Sequence, residues 1–465
     1  MYEEERIHFI GIGGAGMSGI AQILLELGGY KVSGSDLKTS EITERLEKLG
    51  AVVYLGHHEN NLDNRVQTVV ISSAIPANNP EVVKAKSLGI PIIQRGEMLS
   101  HLMKRQKGIA VAGAHGKTTT SSMISLLFEK NNLDPTIVLG GESNDIGGNA
   151  KLGRGEYIIA EADESDGSFL KLSPTITVVT NIEDDHLDFY GTREKIKEAF
   201  TEFILKTSPD AFAVVCIDDP GVESVVTPIA EKVKLIKYGF SAKADYRARD
   251  LHFVGFKTKF KVEHQGKVLG EIELRVPGRH NVYNALAAIA VGMECGLSFA
   301  NIAKSLPIFR GVHRRFEMIG EVNGVLVYDD YAHHPSELKA TLATAKLVGV
   351  QRVIAVFQPH RFSRTLCLKE EFGSAFQDAD ILVMTEIYSA GEKPIEGVSA
   401  LTLLEEIQKQ TGQKIKYIPE KDLIATQLVE IVRPGDLVLT LGAGDIWTVG
   451  VTLCELLEKK GRIVS

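Results

Sequence analysis

The sequence has few cysteines, and none of them stand close enough to form a motif. Only four occur in 465 residues, at Cys216, Cys295, Cys367 and Cys454. The wide spacing disfavours a zinc site built on a CxxC pair and also a disulfide framework. We therefore expect four reduced thiols, most of them buried.

The sequence also lacks a long apolar run and an excess of basic residues. No stretch approaches the ~18 apolar residues of a membrane span, and the acidic N-terminus does not resemble a signal peptide. Lysine and arginine total 52 against 60 aspartates and glutamates, a net charge of −8 that argues against a nucleic-acid-binding surface. We expect a cytoplasmic protein with no membrane insertion and no nucleic-acid partner, acting on small molecules.

Three series of apolar strand-like runs alternate with helix-like runs along the chain. Such alternation is typical of α/β folds with parallel sheets, and the chain is too long for one core. Between about 245 and 276, alternating polar and apolar residues predict an antiparallel insertion. We expect three consecutive α/β domains: a Rossmann-like domain over 1–106, a central domain resembling a P-loop ATPase over 107–314, and a second Rossmann-like domain over 315–465.

The second series opens with the most specific motif, Gly113-Ala-His-Gly-Lys-Thr-Thr-Thr120. It follows a strand-like run and precedes a helix-like one, so backbone N–H groups, Lys117 and Thr118 meet at a helix start. This combination suits a nucleoside triphosphate with Mg²⁺. The spacing is shorter than the common Walker A pattern, because Val111 stands where its first glycine would be. A purely structural turn is the alternative.

A second glycine-rich loop follows the first strand-like run. Asp36 ends the next such run, 20 residues past the last glycine of the loop, as in the dinucleotide-binding fingerprint. Ser72 and Ser73 end another strand-like run, where further diphosphate contacts would arise. The pattern indicates a bound diphosphate but leaves NAD and a UDP-linked substrate both open. The glycines of the loop are Gly11, Gly13, Gly14 and Gly16.

Two acidic clusters follow two strand-like runs of the second series. The first runs from Glu161 to Asp166, and the second from Asn181 to His186. Carboxyl ends of parallel strands share one edge of a sheet, and oxygen ligands there suit Mg²⁺. Acidic clusters are often only solvated loops, but two of them beside a phosphate loop favour a metal site.

Taken together, these motifs resemble the Mur ligase family, the ATP-dependent amide-forming ligases of peptidoglycan precursor synthesis. Within the family they are most similar to the branch that adds alanine. Ten stretches carry the resemblance in the family's order: residues 11–19, 72–75, 113–120, 161–170, 181–188, 278–285, 313–317, 329–337, 358–365 and 442–446.

The resemblance implies a reaction and a division of labour. Residues 1–106 would bind UDP-N-acetylmuramate, 107–314 would bind ATP, and 315–465 would bring the amino acid and close over the site. The substrate carboxylate would become an acyl phosphate, L-alanine would attack it, and ADP and phosphate would leave. The implied cofactors are ATP and two Mg²⁺ ions.

The resemblance also implies individual roles in the ATP site. Lys117 would contact the β- and γ-phosphates. Thr118 and Glu161 would hold one Mg²⁺, and His186 a second. The remaining ATP-binding positions are Gly113, Ala114, His115, Gly116, Thr119, His280, Asn281 and Asn284, of which the last two face adenine from one side of a helix start. Helix capping is the other role open to Asn281.

Further implied roles lie near the third domain. Arg315 would point to the γ-phosphate. His333, His334, Arg361 and Arg364 would face the substrate carboxylate and the amino acid, and either histidine is a hypothetical proton acceptor. Arg361 and Arg364 would share one helical face if their segment is helical.

One departure from related ligases concerns a carbamylated lysine that bridges the two metals in branches adding later residues. Phe200 or Thr201 stands at that position here, as in the alanine-adding branch. This leaves Glu202 or water to screen the metals from each other.

Three other functions remain open from the sequence. A recycling ligase that attaches a ready-made tripeptide to the same UDP-sugar shares most of these motifs. An NAD-dependent dehydrogenase would use the first glycine loop. A nucleotide-binding regulator would bind without turnover.

Overall fold

The computed structural model describes residues 4–464 and arranges them around three sheets, each flanked by helices. This is the expected α/β architecture. Among the described residues, no helix is both long enough and apolar enough to cross a membrane. Of the four cysteines, which are free thiols, only Cys216 is buried and Cys367 is exposed, so the expectation of mostly buried thiols is wrong.

The first sheet has five parallel strands in the order β3-β2-β1-β4-β5. The chain reverses direction across the sheet between β1 and β4, the position where such folds bind nucleotides. The elements are β1 (Glu5–Ile10), α1 (Ala15–Leu27), β2 (Tyr30–Asp36), α2 (Glu41–Lys48), β3 (Val52–Leu55), β4 (Thr68–Ile71), α3 (Pro80–Leu88), β5 (Ile92–Gln94) and α4 (Arg95–Met103).

The second sheet has ten strands in the order β15-β14-β13-β12-β11-β10-β6-β9-β7-β8. Two-residue turns join β13 to β14 and β14 to β15, which makes this part the expected antiparallel insertion. The elements are β6 (Lys107–Ala112), α5 (Lys117–Lys130), β7 (Thr136–Ser143), β8 (Gly148–Lys151), β9 (Tyr157–Glu161), β10 (Ile176–Val179), α6 (Leu187–Tyr190), α7 (Arg193–Leu205), β11 (Ala213–Cys216), α8 (Pro220–Val226), β12 (Leu235–Gly239), β13 (Tyr246–Val254), β14 (Lys257–His264), β15 (Lys267–Leu274), α9 (Arg279–Glu294) and α10 (Phe299–Ser305).

The third sheet has six strands in the order β16-β17-β21-β18-β19-β20, parallel except for the hairpin of β16 and β17. The elements are β16 (Glu317–Val322), β17 (Val325–Asp330), α11 (Pro335–Leu347), β18 (Arg352–Phe357), α12 (Phe362–Cys367), α13 (Lys369–Gly373), β19 (Ile381–Met384), α14 (Ala400–Thr411), β20 (Ile415–Tyr417), α15 (Lys421–Val429), β21 (Asp436–Leu441) and α16 (Trp447–Val464).

The described chain divides into two compact units. The first takes in the residues up to Leu251 with Phe260–Glu273 and Asn281–Arg310, and the second takes in His252–Lys259, Leu274–His280 and the residues from Gly311 onward. The first sheet and most of the second therefore belong to one unit, with only the ends of β13, β14 and β15 in the other, although the sequence suggests a domain boundary at 106/107.

Helix α1 joins the first two sheets within the first unit. A Cβ atom on Gly19 would lie 3.4 Å from the Ala150 side chain and 3.5 Å from that of Val138, so α1 packs directly on β7 and β8. Buried Ile20 and Met17 belong to the same apolar cluster as Val138. This shared core fixes the first sheet against the second, because burial of apolar surface is the main favourable term in folding.

Candidate functional site

The first glycine loop connects β1 to α1 and lies against the end of β2. The Gly11 and Ile12 N–H groups donate to the Ser35 carbonyl at 2.8 and 3.0 Å, and the Gly13 N–H donates to Asp36 Oδ2 at 2.9 Å. A Cβ atom on Gly13 would lie 2.9 Å from the same carboxylate oxygen. The loop and the acidic residue of the fingerprint are thus in direct contact, and a side chain at Gly13 would separate them.

Other polar groups surround this loop. Ser72 and Ser73 follow β4, which pairs with β1, so they lie at the same edge of the sheet. The guanidinium of Arg95 lies beside Gly16, where a Cβ atom would be 2.3 Å from Nη1. Sequence reasoning missed Arg95, because its 79-residue separation from the loop leaves no local pattern.

The phosphate loop connects β6 to α5 and is held by residues that follow β10. His115 N–H donates to Asn181 Oδ1 at 2.8 Å, and the Thr180 hydroxyl donates to the His115 carbonyl at 2.6 Å. Gly113 and Gly116 have φ of 140° and 80°, a region that favours glycine. The loop is therefore shaped before any ligand binds.

Lys117 is held inside this loop by several acceptors. Its ammonium Nζ lies 2.6 Å from the Gly113 carbonyl, 3.2 Å from that of Ala114 and 2.7 Å from Oε1 of Glu164. Burial works against the charge, but the carboxylates of Glu164 and Glu161 outweigh it and raise the pKa of Lys117. The lysine is thus a charged cation that is only partly exposed.

Glu164 is the acidic partner of Lys117. Its side chain is 4% exposed, and burial raises its pKa to about 7 even though Lys117 acts in the opposite direction. Its second oxygen, Oε2, is buried and has no hydrogen-bond partner. An unsatisfied buried carboxylate oxygen is costly in a folded protein, so its presence here indicates a place for a cation or a donor.

The proposed metal ligands surround this pair. Glu161 ends β9 and accepts from the Gly140 N–H at 2.9 Å, and a Cβ atom on Gly141 would lie 3.4 Å from the Thr118 methyl group. Both residues therefore face the same stretch of β7. His186 Nε2 lies 3.8 Å from Glu164 Oε1. This set of oxygens and one imidazole, next to an orphaned carboxylate oxygen, fits Mg²⁺.

Glu202 does not fit a bridging role. Its side chain is 59% exposed and pairs with Lys206 at 3.4 Å, while the neighbouring Phe200 is buried and packs 5.3 Å from Phe169. The helix α7 therefore turns the aromatic residue inward and the acid toward solvent. Glu164 and Asp185 are the carboxylates that lie beside His186 instead.

Asn281 and Asn284 lie against the phosphate loop. Asn284 Oδ1 accepts from the Thr120 hydroxyl at 3.2 Å, and Asn284 Nδ2 donates to Asn281 Oδ1 at 3.3 Å. A Cβ atom on Gly116 would lie 2.5 Å from Asn284 Oδ1. Because α9 begins at Arg279, Asn281 is its third residue, and the suggestion that it caps the helix is wrong.

An aromatic pair that sequence reasoning missed lies next to the Asn281 position. The Tyr283 hydroxyl donates to Asp218 Oδ2 at 3.0 Å, and its ring meets Phe240 edge to face at 4.9 Å. Asp218 also accepts from the Phe240 N–H at 2.6 Å. This aromatic wall, which has polar groups at its edge, suits a nucleobase.

In the second unit, Arg315 is surrounded by carboxylates. Its Nη1 lies 3.3 Å from Glu337 Oε1, and its guanidinium lies 5.4 Å from the centre of the Tyr331 ring. Burial, and secondarily the charge of Arg315, lowers the pKa of His280 to about 4. Burial also raises the pKa of Asp330 to about 6, although Arg315 opposes this.

The two adjacent histidines have different environments. The ring of His333 contacts the Tyr331 carbonyl through Nδ1 at 2.9 Å, and burial lowers its pKa to about 4, so it is neutral near pH 7. His334 is the N-cap of α11, and its Nδ1 contacts the Ser336 hydroxyl at 2.7 Å. His334 therefore caps helix α11.

Arg361 and Arg364 do not share a helical face. Helix α12 begins at Phe362, so Arg361 precedes it, with φ of 69°, and the expectation of one shared face is wrong. The Arg361 N–H donates to the Tyr388 carbonyl at 2.8 Å, and Arg364 Nη1 lies 3.1 Å from His360 Nδ1. A left-handed conformation at a non-glycine residue carries strain.

Two glycine loops at the carboxyl edges of parallel sheets, one with a charged lysine and strand-end carboxylates, define a nucleotide-binding α/β protein. Family models match the chain in succession: the Mur ligase family catalytic domain over residues 6–107, the Mur ligase middle domain over 111–292, and the Mur ligase glutamate ligase domain over 314–444. The chain belongs to the Mur ligase family. The resemblance inferred from its motifs is confirmed.

Individual relatives are similar over the full length. The UDP-N-acetylmuramate–L-alanine ligase of Pelotomaculum thermopropionicum is 54% identical over 464 residues, 100% of both chains. The crystal structure of UDP-N-acetylmuramate-alanine ligase MurC from Thermotoga maritima has a TM-score of 0.83 and 31% identity, covering 98% of this chain and 99% of that one. A murein peptide ligase from Psychrobacter arcticus shares the fold, with a TM-score of 0.71, 23% identity, and coverage of 97% and 98% of the two chains.

Proposed function

We propose that this protein joins L-alanine to the carboxylate of UDP-N-acetylmuramate at the expense of ATP, a step of peptidoglycan precursor synthesis. The observation that carries the proposal is the 54% identity to a UDP-N-acetylmuramate–L-alanine ligase over the whole of both chains. The two glycine loops support it, since one substrate carries a diphosphate and the other a triphosphate. Because both are metabolites of the cell interior, we propose a cytoplasmic location.

The first loop is proposed to hold the UDP end of the substrate. The N–H groups of Gly11, Ile12, Gly13 and Gly14 already donate within the protein and shape the loop, so the N–H groups of Ala15 and Gly16 at the start of α1 are the ones proposed to face the diphosphate. Asp36 is proposed to accept from ribose hydroxyls, as in other proteins with this fingerprint. Ser72 and Ser73, at the same edge, add hydroxyl donors. Arg95 supplies the positive charge that the loop itself lacks.

ATP is proposed to bind at the second loop. The residues from Gly113 to Thr119 wrap the phosphates, and the aromatic wall beside Asn281 and Asn284 faces adenine. Lys117 leaves Glu164 for the β- and γ-phosphates, because a phosphate carries more charge than one carboxylate.

Magnesium fits the neighbouring ligands. We propose that Thr118 and Glu161 hold one ion and His186 a second, with Glu164 and Asp185 as carboxylates close to His186. Bound Mg²⁺ supplies positive charge where the transferred phosphoryl group becomes more negative. Lys117 stabilises the same charge from a protein side chain.

The amide-forming step requires an unprotonated amine. The acyl phosphate made from the substrate carboxylate is attacked by the alanine nitrogen, phosphate leaves, and one proton must be removed from that nitrogen. His333 is the better placed of the two histidines for this task, because its Nδ1–H is directed to a carbonyl, which leaves Nε2 as an acceptor, whereas His334 caps α11. Burial lowers the pKa of His333 and weakens it as a base, and the charge of Glu337 opposes this effect. Arg361 and Arg364 are proposed to hold carboxylate oxygens of the substrate or the amino acid.

One assay tests the proposal. Phosphate release is measured with ATP, Mg²⁺ and UDP-N-acetylmuramate, with L-alanine, with a tripeptide, or with no amine. We expect release that depends on both the UDP-sugar and L-alanine. Faster release with the tripeptide would identify a recycling ligase, and no release with any amine would identify a regulator. A change in nicotinamide absorbance with NAD would identify a dehydrogenase.

A further inference from the structure

Glu81 lies at the start of α3 with its side chain fully buried, yet none of the proposed roles uses it. Its carboxylate accepts hydrogen bonds from residues in other elements of the first domain. Oε2 accepts from the Ser35 hydroxyl at 2.6 Å and faces His8 Nε2 at 3.4 Å. Oε1 accepts from the His58 N–H at 3.2 Å and from Asn61 Nδ2 at 2.5 Å.

These contacts keep Glu81 ionised. Burial opposes its charge, but hydrogen bonds from His8, Ser35 and Asn61 outweigh burial and hold the pKa of Glu81 below its ordinary value. An ionised carboxylate only accepts hydrogen bonds. The short contact with Ser35 therefore fixes the direction of that bond, with the serine as donor.

The fixed serine in turn fixes a histidine. Ser35 Oγ lies 2.8 Å from His57 Nδ1. Because the serine proton is directed to Glu81, the oxygen can only accept from the ring, so Nδ1 carries the proton. In a neutral imidazole the other nitrogen, Nε2, is then an acceptor. His57 therefore donates a hydrogen bond to Ser35, and Ser35 donates one to Glu81.

His57 lies at the edge of the sheet where the UDP end of the substrate is proposed to bind. It follows Gly56, whose N–H donates to the Asp36 carbonyl at 2.7 Å. Its side chain is 14% exposed, so the ring is held from the inside and reaches the surface. Its neighbour on this edge, Asp36, belongs to the nucleotide fingerprint.

We propose that Glu81 is a positioning residue that, through Ser35, presents Nε2 of His57 as a hydrogen-bond acceptor to the uridine of UDP-N-acetylmuramate. The inference rests on the proposed function and names the part of the substrate that is recognised. Uridine offers such an acceptor two kinds of donor, the N3–H of uracil and the ribose hydroxyls.

Glu81→Gln is the decisive variant, because it nearly preserves shape. The amide nitrogen cannot face the backbone N–H of His58 or the Asn61 amide, so it must turn toward Ser35 and His8, and His8 Nε2 then has to accept a hydrogen bond instead of donating one. The serine then accepts from the glutamine and donates to His57 Nδ1, which moves the ring proton to Nε2. The acceptor at the surface becomes a donor.

We expect Glu81→Gln to raise the dissociation constant of UDP-N-acetylmuramate about tenfold, the usual loss for one hydrogen bond replaced by a mismatch. The KM for ATP should not change. Nitrogen NMR of the histidine rings should show the exchange of tautomer at His57 in the variant.

Substrate analogues identify the donor. An N3-methyl or 2′-deoxyuridine form of the UDP-sugar lacks one donor, and the form that lacks the recognised donor should bind wild-type protein weakly. Glu81→Gln should not weaken its binding further, because the interaction is already lost. A purely structural role would weaken natural substrate and analogues equally.

Two further variants make the outcome interpretable. Ser35→Ala removes the relay but leaves Glu81, and it should also weaken UDP-N-acetylmuramate binding, which decides the matter even if Glu81→Gln fails to fold. Glu59→Gln changes an exposed acid two residues from His57 and should have no effect. Unchanged substrate affinity in Ser35→Ala, or an unchanged His57 tautomer in a folded Glu81→Gln, would overturn the inference. Failure of the wild-type protein to bind UDP-N-acetylmuramate would instead refute the proposed function.

Discussion

The two glycine loops of this chain have the same backbone plan but opposite electrostatic surroundings. Each connects a buried parallel strand to a helix. In the first loop, a backbone N–H of Gly13 is taken by the carboxylate of Asp36, and the loop contains no cation. In the second, Lys117 is held by Glu164 and two loop carbonyls. The glycines explain why an anion can approach, and the neighbouring side chains determine which anion binds.

Arg95 connects the two surroundings inside the first unit. Its guanidinium lies against Gly16 of the first loop, and its Nη2 lies 2.6 Å from Asp163 Oδ2, in the acidic cluster after β9. Asp163 also acts on Lys117 by its charge. The charge that the first loop needs thus comes from a residue that also faces the second site.

The largest effect is expected for Lys117→Ala. It removes the one cation of the second loop, and the loss of a single charge-stabilising donor at a reacting phosphate typically costs about 3 kcal/mol or more, a rate loss of more than a hundredfold. UDP-N-acetylmuramate binding, measured by titration calorimetry, should be unchanged because the first loop does not use this residue. Turnover near the wild-type rate would show that the second loop is not the ATP site.

Local sequence motifs predicted part of this structure and missed another part. The sequence was sufficient to predict both loops, most of the buried strands and the antiparallel insertion, because these have strong local patterns. It missed β3, β5 and β20, which have three or four residues and contain no buried positions, so no apolar run marks them, and it also missed β8, β11 and β12 of the second sheet, although β11 is fully buried. It also missed the pairs Arg95–Asp163 and Glu81–Ser35, because partners 68 and 46 residues apart are brought together only by the fold.

Asp36→Asn should have the next largest effect, now on the first loop. Asparagine retains an oxygen for the Gly13 N–H, so the loop should keep its shape while the charged acceptor for ribose hydroxyls is lost. Hydrogen bonds to charged groups contribute about 1.5–3 kcal/mol, so we expect UDP-N-acetylmuramate to bind at least tenfold more weakly. The KM for ATP should stay constant.

The matched control for this variant is Asp63→Asn. Asp63 is a half-exposed aspartate in the loop before β4 that pairs with Arg65, and its change should alter neither affinity. If Asp36→Asn weakens ATP binding and spares the UDP-sugar, the assignment of the two nucleotides to the two loops is reversed.

Arg95→Gln is expected to have a smaller effect on both sites. The first loop loses a nearby positive charge, so UDP-N-acetylmuramate should bind several-fold more weakly, with a steeper loss at low ionic strength where charges are less screened. Turnover should fall by a similar factor, because Asp163 loses its partner. Arg65→Gln, at an exposed ion pair, serves as the control. If Arg95→Gln affected only ATP binding or turnover and not UDP-N-acetylmuramate binding, Arg95 would have no role at the first loop.

The smallest expected effect is the uptake of a proton by the protein when ATP binds. This effect distinguishes the two loops most clearly. Burial sets the pKa of Glu164 at about 7 while Lys117 still pairs with it. When ATP without Mg²⁺ attracts Lys117, the carboxyl loses its cation, its pKa rises further, and the number of protons that the protein binds at pH 7.5 increases. Calorimetry in EDTA, with two buffers of different ionisation enthalpy, measures this number.

The signal must be compared with that of Glu164→Gln, because proton exchange by ATP itself is common to both proteins and cancels in the difference. UDP-N-acetylmuramate should give no such difference, since Glu164 keeps its lysine when only the first loop is filled. Mg²⁺ should suppress the uptake, because a metal ion beside His186 replaces the lost positive charge and keeps the carboxyl ionised. Equal proton uptake by wild type and variant would mean that Lys117 stays on Glu164 while ATP is bound, and the contrast between a loop with a mobile cation and a loop without one would no longer hold.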